Sequence, residues 1–166
     1  MLDSKVQAAL NRQINHEMGS AYDYLAMAAH CERQNLAGFA TWMMHQRSEE
    51  LEHAMRLFRY VLDRGGTVEL GAVAKPRSDY ETARDLFEHA LKMERDNTTA
   101  IYDLYGLALA AKDYATQSHL QWFIDEQVEE EKLMNEVLGL VELAGSDTSA
   151  LLVLNNQLAQ RSAKGP

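Results

Sequence analysis

Hydrophobic positions recur at alternating spacings of three and four over residues 5–33, 36–64, 80–111 and 114–144, the period of helices with one buried face. The first stripe reads Leu10, Ile14, Glu17, Ala21, Tyr24, Ala28, and the second Phe39, Trp42, Gln46, Glu50, His53, Leu57, Tyr60. The third reads Phe87, Leu91, Glu94, Thr98, Ile101, Tyr105, and the fourth Leu120, Phe123, Gln127, Glu130, Met134, Val137. Each stripe is apolar at both ends and bears carboxylates in the middle. Gly65 and Gly66 are expected to end the second helix through positive φ angles, Gly145 to end the fourth, and Pro76 falls in the link between the second and third. A shorter segment, residues 146–160, opens on the capping cluster Ser146, Asp147, Thr148 and carries Leu151, Leu152, Val153, Leu154 and Leu158. Its apolar residues need cover, either from the same bundle or from another copy of the chain.

The connections set the topology. Helices one and two, and again three and four, are separated by only a few residues, so each pair forms an antiparallel hairpin. Residues 65–79 are non-helical and extend to roughly 50 Å at ~3.3 Å per residue. A helix of ~29 residues is ~43 Å long. The link therefore crosses the length of the bundle and leaves helices two and three parallel. The expected architecture is all-α: one domain spanning residues 1–166, a four-helix bundle over about 5–144 with one long crossover, and the short C-terminal helix.

Polar residues on the apolar seams carry the chemistry. Glu94, Gln127 and Glu130 each stand 77 positions after Glu17, Glu50 and His53, and Glu126 and Glu129 stand at the same distance after Glu49 and Glu52. A repeat kept at ligand-type residues points to two facing half-sites. The seam carboxylates lie near their helix midpoints and so converge at one level. Burying several carboxylates together is prohibitive unless they bind cations or hold protons. Spacing favours cations: Glu50 and His53 at i and i+3 offer an oxygen and an imidazole nitrogen from one helix face, and Gln127 and Glu130 repeat the geometry. A Glu from each of two helices with Glu-x-x-His on the others is the plan of carboxylate-bridged di-iron bundles, and the oxygen-rich set suits Fe(II). Tyr24, two turns after Glu17, is placed to hydrogen-bond a ligand or lend an electron. Glu49, Glu126 and Glu129 lie beside the seam, where a third, wetter site competes with ordinary solvated acids. His16, His30, His45, His89 and His119 lack partnered spacing and read mostly as surface residues. Met27, Met43, Met44, Met55, Met93 and Met134 read as packing.

Composition narrows the alternatives. Lys and Arg number 16 against 25 Asp and Glu, a formal net charge of −9 without a basic stripe, which disfavours nucleic acid and anionic membrane as partners. One cysteine, Cys31, makes no intrachain disulfide and fits a reducing compartment. The first ten residues mix charges where a signal peptide needs an apolar run, so a cytoplasmic protein is expected.

The segments INHEMGSAYDYLAMA, RSEELEHA, MERDNT and DEQVEEE closely resemble the ferritins of the bacterial non-haem type, and the match runs over nearly the whole chain. The resemblance implies a homo-oligomeric cage of twenty-four subunits, a ferroxidase that oxidises Fe(II) with O₂ or H₂O₂ and stores Fe(III) as mineral. It also implies that Glu17, Glu50 and His53 hold one iron, and that Glu50, Glu94 and Glu130 hold a second, with Glu50 bridging. Gln127 then lies beside them, and Glu49, Glu126, Glu129 and Glu130 match the additional iron site of prokaryotic ferritins. Bacterioferritins differ in a second full Glu-x-x-His and in a haem-binding Met at the position of Leu51, so haem is not expected. Mini-ferritins build their site between subunits, and rubrerythrins add a four-cysteine module that one cysteine cannot form. From the residues alone, a di-iron oxygenase acting on an organic substrate and a purely structural bundle remain alternatives.

Overall fold

A computed structural model describes residues 2–162. Its helices are α1 (Ser4–Arg33), α2 (Ala37–Asp63), α3 (Ala83–Ala110), α4 (Tyr114–Ala144) and α5 (Thr148–Ser162). Side chains cap most of the starts: Asp3 accepts from the amides of Lys5 and Val6, Thr82 from Asp85, and Asp113 from Thr116. Asp147 likewise accepts from Ser149 and Ala150, so the fifth helix begins at Thr148 rather than at 146.

Two other expectations need correction. The third helix begins at Ala83 instead of 80, because Thr82 takes the cap position while the hydroxyl of Tyr80 donates to the carbonyl of Arg77 in the link. Gly65 has the positive φ expected of it, 69°, and Gly145 has 56°, but Gly66 does not. Gly66 sits close to its neighbours instead: a Cβ there would stand 2.6 Å from Oε1 of the flexible Gln7 side chain and 3.1 Å from the carbonyl oxygen of Val61. The two short hairpin turns use Asn35 and Lys112, at φ 59° and 54°.

α1 packs on α2 and α3 on α4, with α1 and α3 joining the two pairs. The crossover is pinned along α1. Asn11 and Asn15 exchange hydrogen bonds with Thr67, Glu69 and Gly71, and Gln7 accepts from the amide of Thr67. At the other end of α1, Arg33 donates to the carbonyl of Ser78 and pairs with Asp79 at 2.7 Å. The link thus runs the full length of α1, as its span required.

α5 folds back onto α2 and α4, with Leu154 and Leu158 buried. Its Asn155 accepts from the amide of Phe39 at 2.9 Å and caps α2, whose own N-cap residue, Leu36, makes no side-chain bond. Gly38 permits the approach, since a Cβ there would sit 1.9 Å from the carbonyl oxygen of Asn155.

The apolar core is in two parts. One surrounds Tyr24, Phe39, Trp42, Phe87 and Met134, the other Leu10, Ile14, Leu57, Ile101 and Phe123. Between them the same four helices bury Gln13, Glu17, Gln46, Glu50, His53, Glu94, Asn97, Gln127 and Glu130. Hydrophobic burial on both sides holds this polar layer in place.

Candidate metal centre

α1 supplies Glu17, and α2 supplies Glu50 and His53 one helical turn apart. One ligand atom from each of the three lies within 4.8 Å of the others. Both oxygens of Glu50 and Nδ1 of His53 are buried, and apart from the Glu17 carboxyl beside Glu50 they have no hydrogen-bond partner. Nδ1 stands 3.6 Å from Oε1 of Glu50. This is not an ion pair, because burial lowers the His53 pKa to about 4 and keeps the ring neutral. A neutral imidazole and converging carboxylates are the form in which these side chains bind a cation. Buried polar atoms left without partners are costly, and a cation would satisfy them.

Electrostatics describe the same need. Burial, then the neighbouring charges of Glu94 and Glu17, pushes the Glu50 carboxyl well above the ordinary range. Glu17 rises to about 7, chiefly by burial. Glu130 rises to about 9, by burial and then by Glu94 and Glu49. Glu94 is raised by burial against opposing hydrogen bonds from Tyr24 and Gln127. The Tyr24 hydroxyl donates to Oε1 of Glu94 and is itself pushed up, mainly by burial. Glu94 and Glu130 thus stand beside the three-donor cluster without joining it in this conformation.

Outside His53 opens a cavity of about 640 Å³ lined by Glu49, Glu52, Glu126, Glu129, Glu130 and Glu136, among others. Here Glu49 is tied down by His45 at 3.1 Å and Gln46 at 2.8 Å. Burial raises the pKa of both Glu49 and Glu126. The three glutamates beside the seam therefore meet at one acidic vestibule, which adjoins the inner cluster at His53 and Glu130.

The ferritin-like domain family matches residues 7–144. Bacterial non-heme ferritin from Staphylococcus aureus (strain USA300) is 38% identical over 162 residues, 98% of each chain. The chain belongs to the ferritin family. The Staphylococcus saprophyticus bacterial non-heme ferritin is also 38% identical over 162 residues, covering 98% of this chain and 97% of its own. Among solved structures, the open-pore ferritin of the hyperthermophilic archaeon Archaeoglobus fulgidus superposes with a TM-score of 0.95 at 43% identity, over 96% of this chain and 98% of that one. A closed form of that ferritin engineered by site-directed mutagenesis gives 0.94 at 43% identity, over 96% and 97%.

This ferritin surrounds the cluster with residues that seam patterning did not single out. Gln13 and Asn97 both donate to Glu17, Trp122 packs edge-on against His53 with ring centroids 5.4 Å apart, and the Arg56 guanidinium lies 3.9 Å over the Trp122 ring. A polar residue one helical turn from each seam carboxylate was the available signal: Gln13 precedes Glu17 by four and Asn97 follows Glu94 by three. The remaining histidines are more enclosed than expected. His30 is buried edge-on against Tyr80, His119 stacks on Tyr60 with centroids 3.9 Å apart, and His16, His45 and His89 are half-buried. Met27, Met43 and Met134 are buried as packing residues, while Met44 is 40% exposed.

Proposed function

We propose that this ferritin is a ferroxidase and iron store, working in the cytoplasm as a cage of twenty-four copies. Iron is its substrate. Glu17, Glu50 and His53 receive one Fe(II), and Glu50, Glu94 and Glu130 receive a second, with Glu50 shared. The two ions together supply two electrons, which reduce one O₂ to the peroxide level. The Fe(III) formed then leaves through the vestibule of Glu49, Glu126 and Glu129 to become mineral. Tyr24 and Gln127 hold Glu94 in place from either side through hydrogen bonds.

The observation that carries this reading is Glu50, fully buried in the middle of the polar layer with both oxygens lacking a donor from elsewhere in the protein. An ionised carboxylate in that position is costly unless it binds a cation. The unmodified protein should consume O₂ in a rapid first burst when given two Fe(II) per chain anaerobically and then mixed with oxygen. Glu50→Gln should lose the burst by at least about 100-fold while keeping its helix content, in line with the loss of a central ligand. A burst that survives the substitution unchanged would remove Glu50 from the centre.

A further inference from the structure

We propose that Asn97 is a positioning residue that sets the direction of the Gln127 amide and so couples the two halves of the dinuclear centre; the inference rests on the ferroxidase reading above. Asn97 is 1% exposed and lies between α1 and α4. Its amide nitrogen donates to Oε2 of Glu17 at 3.2 Å and to Oε1 of Gln127 at 3.3 Å. Its oxygen accepts from Nε2 of Gln13 at 2.6 Å, and the same Nε2 donates to Oε1 of Glu17 at 2.7 Å. Gln127 then points its own nitrogen at Oε2 of Glu94, 3.4 Å away, and at the Glu94 carbonyl, 3.1 Å away.

Three amides are thereby joined head to tail between a carboxylate on α1 and a carboxylate on α3. Each passes an N–H to the next oxygen, and the direction cannot reverse at one member without leaving two acceptors face to face. Because Asn97 occupies the Gln127 oxygen, Gln127 presents donors to the centre. Its N–H groups steady Glu94 as a carboxylate, while the Asn97 N–H steadies Glu17. Movement of Glu17 on taking up a cation is felt through this chain by Glu94. Orienting partners of this kind typically change metal affinity by about 10- to 100-fold when removed.

Co(II) titration of the full-length assembled protein provides the test, because its visible absorption reports the donors around the ion without any turnover. The unmodified protein should take up two Co(II) per chain in distinguishable steps. Asn97→Leu should weaken the first step by about 10-fold. Its effect should shrink when Gln127→Leu is already present, since both act along one chain. Asn97→Asp keeps the size but removes the donor. Gln127 must then turn its nitrogen toward residue 97 and its carbonyl oxygen toward the ions, and the Co(II) spectrum should shift. This isosteric variant also decides the matter should the leucine variant fail to fold. Titrations and spectra like those of the unmodified protein in every folded variant, with only thermal stability altered, would reduce Asn97 to a packing role. If the unmodified protein itself binds no Co(II) at these residues, the ferroxidase reading falls and this inference with it.

Discussion

Glu17 and Glu130 hold protons in the metal-free fold that they would release when unfolded. Their carboxyls titrate near 7 and near 9 when folded, against about 4.5 for a free glutamate. The stability linked to these raised values is fully present below the unfolded value and is lost as pH rises through the folded ones. His53 and His119 act in the opposite direction: burial lowers both to about 4, so their neutral forms favour the fold above the free value of 6.5 and cost stability as pH falls toward 4. Between pH 6.5 and about 8 the carboxyls set the balance, and toward pH 9 the Cys31 thiol, pushed up by burial to about 12 against a free value of 9.0, adds to the same fall. Urea unfolding of the chelator-treated protein should therefore show stability falling across that window. The slope should be about 1.4 kcal/mol per pH unit for each proton kept in the fold and released on unfolding. Zn(II), which takes the place of those protons, should flatten it. A flat profile without metal would mean that the polar layer is hydrated and its carboxylates are ionised. The charged members of this layer were legible because Glu17, Glu50 and His53 repeat as Glu94, Gln127 and Glu130. Gln13 and Asn97 carry no charge to flag their burial, and the repeat gives Ala90 and Ser20 in their places, so periodicity alone could not mark them.

At the scale of the elements, one amide of α5 ties it to the start of α2. Asn155 both buries itself and caps α2, where Leu36 cannot, and Gly38 leaves the room for it. Asn155→Ala should cost about 0.5–2 kcal/mol, the usual range for a lost N-cap, measured as a lower urea midpoint. Removing residues 146–166 should leave α1 to α4 helical by circular dichroism. It should lower the assembled mass in light scattering, because Leu152 and Val153, 47% and 56% exposed on the single chain, are the apolar surface α5 offers to neighbours. An unchanged mass would make α5 a local cover over α2. The long helices were readable from spacing because their buried faces persist over many turns. The Asn155 contact was not, since it joins residues 116 apart in sequence through a side-chain cap. The start of α3 was missed for a similar reason: Tyr80 is apolar and fits the helical stripe, but its hydroxyl and ring are engaged by Arg77 in the link.

Across the whole molecule, the crossover and the vestibule divide the work. The crossover lies along α1, held by Gln7, Asn11 and Asn15 near one end and by Arg33 near the other, and it fixes the parallel placement of α2 and α3 that brings Glu50 and Glu94 to one level. The vestibule opens beside the other pair, α2 and α4, next to His53 and Glu130. Among the described residues, no helix is long and apolar enough to cross a membrane. Replacing Glu49, Glu126 and Glu129 together with Ala should leave the first O₂-consuming burst present but change the Fe(II):O₂ ratio and slow recovery of the burst on repeated additions. Unaltered stoichiometry and recovery would return these three to the status of solvated acids.

Iron is expected within the polar layer, shared across Glu50. Anomalous diffraction at the iron edge, from crystals soaked anaerobically with Fe(II), tests it most directly. Two peaks are expected in every subunit, one among Glu17, Glu50 and His53 and one among Glu50, Glu94 and Glu130. Iron found elsewhere, with no anomalous density at these side chains, would contradict it.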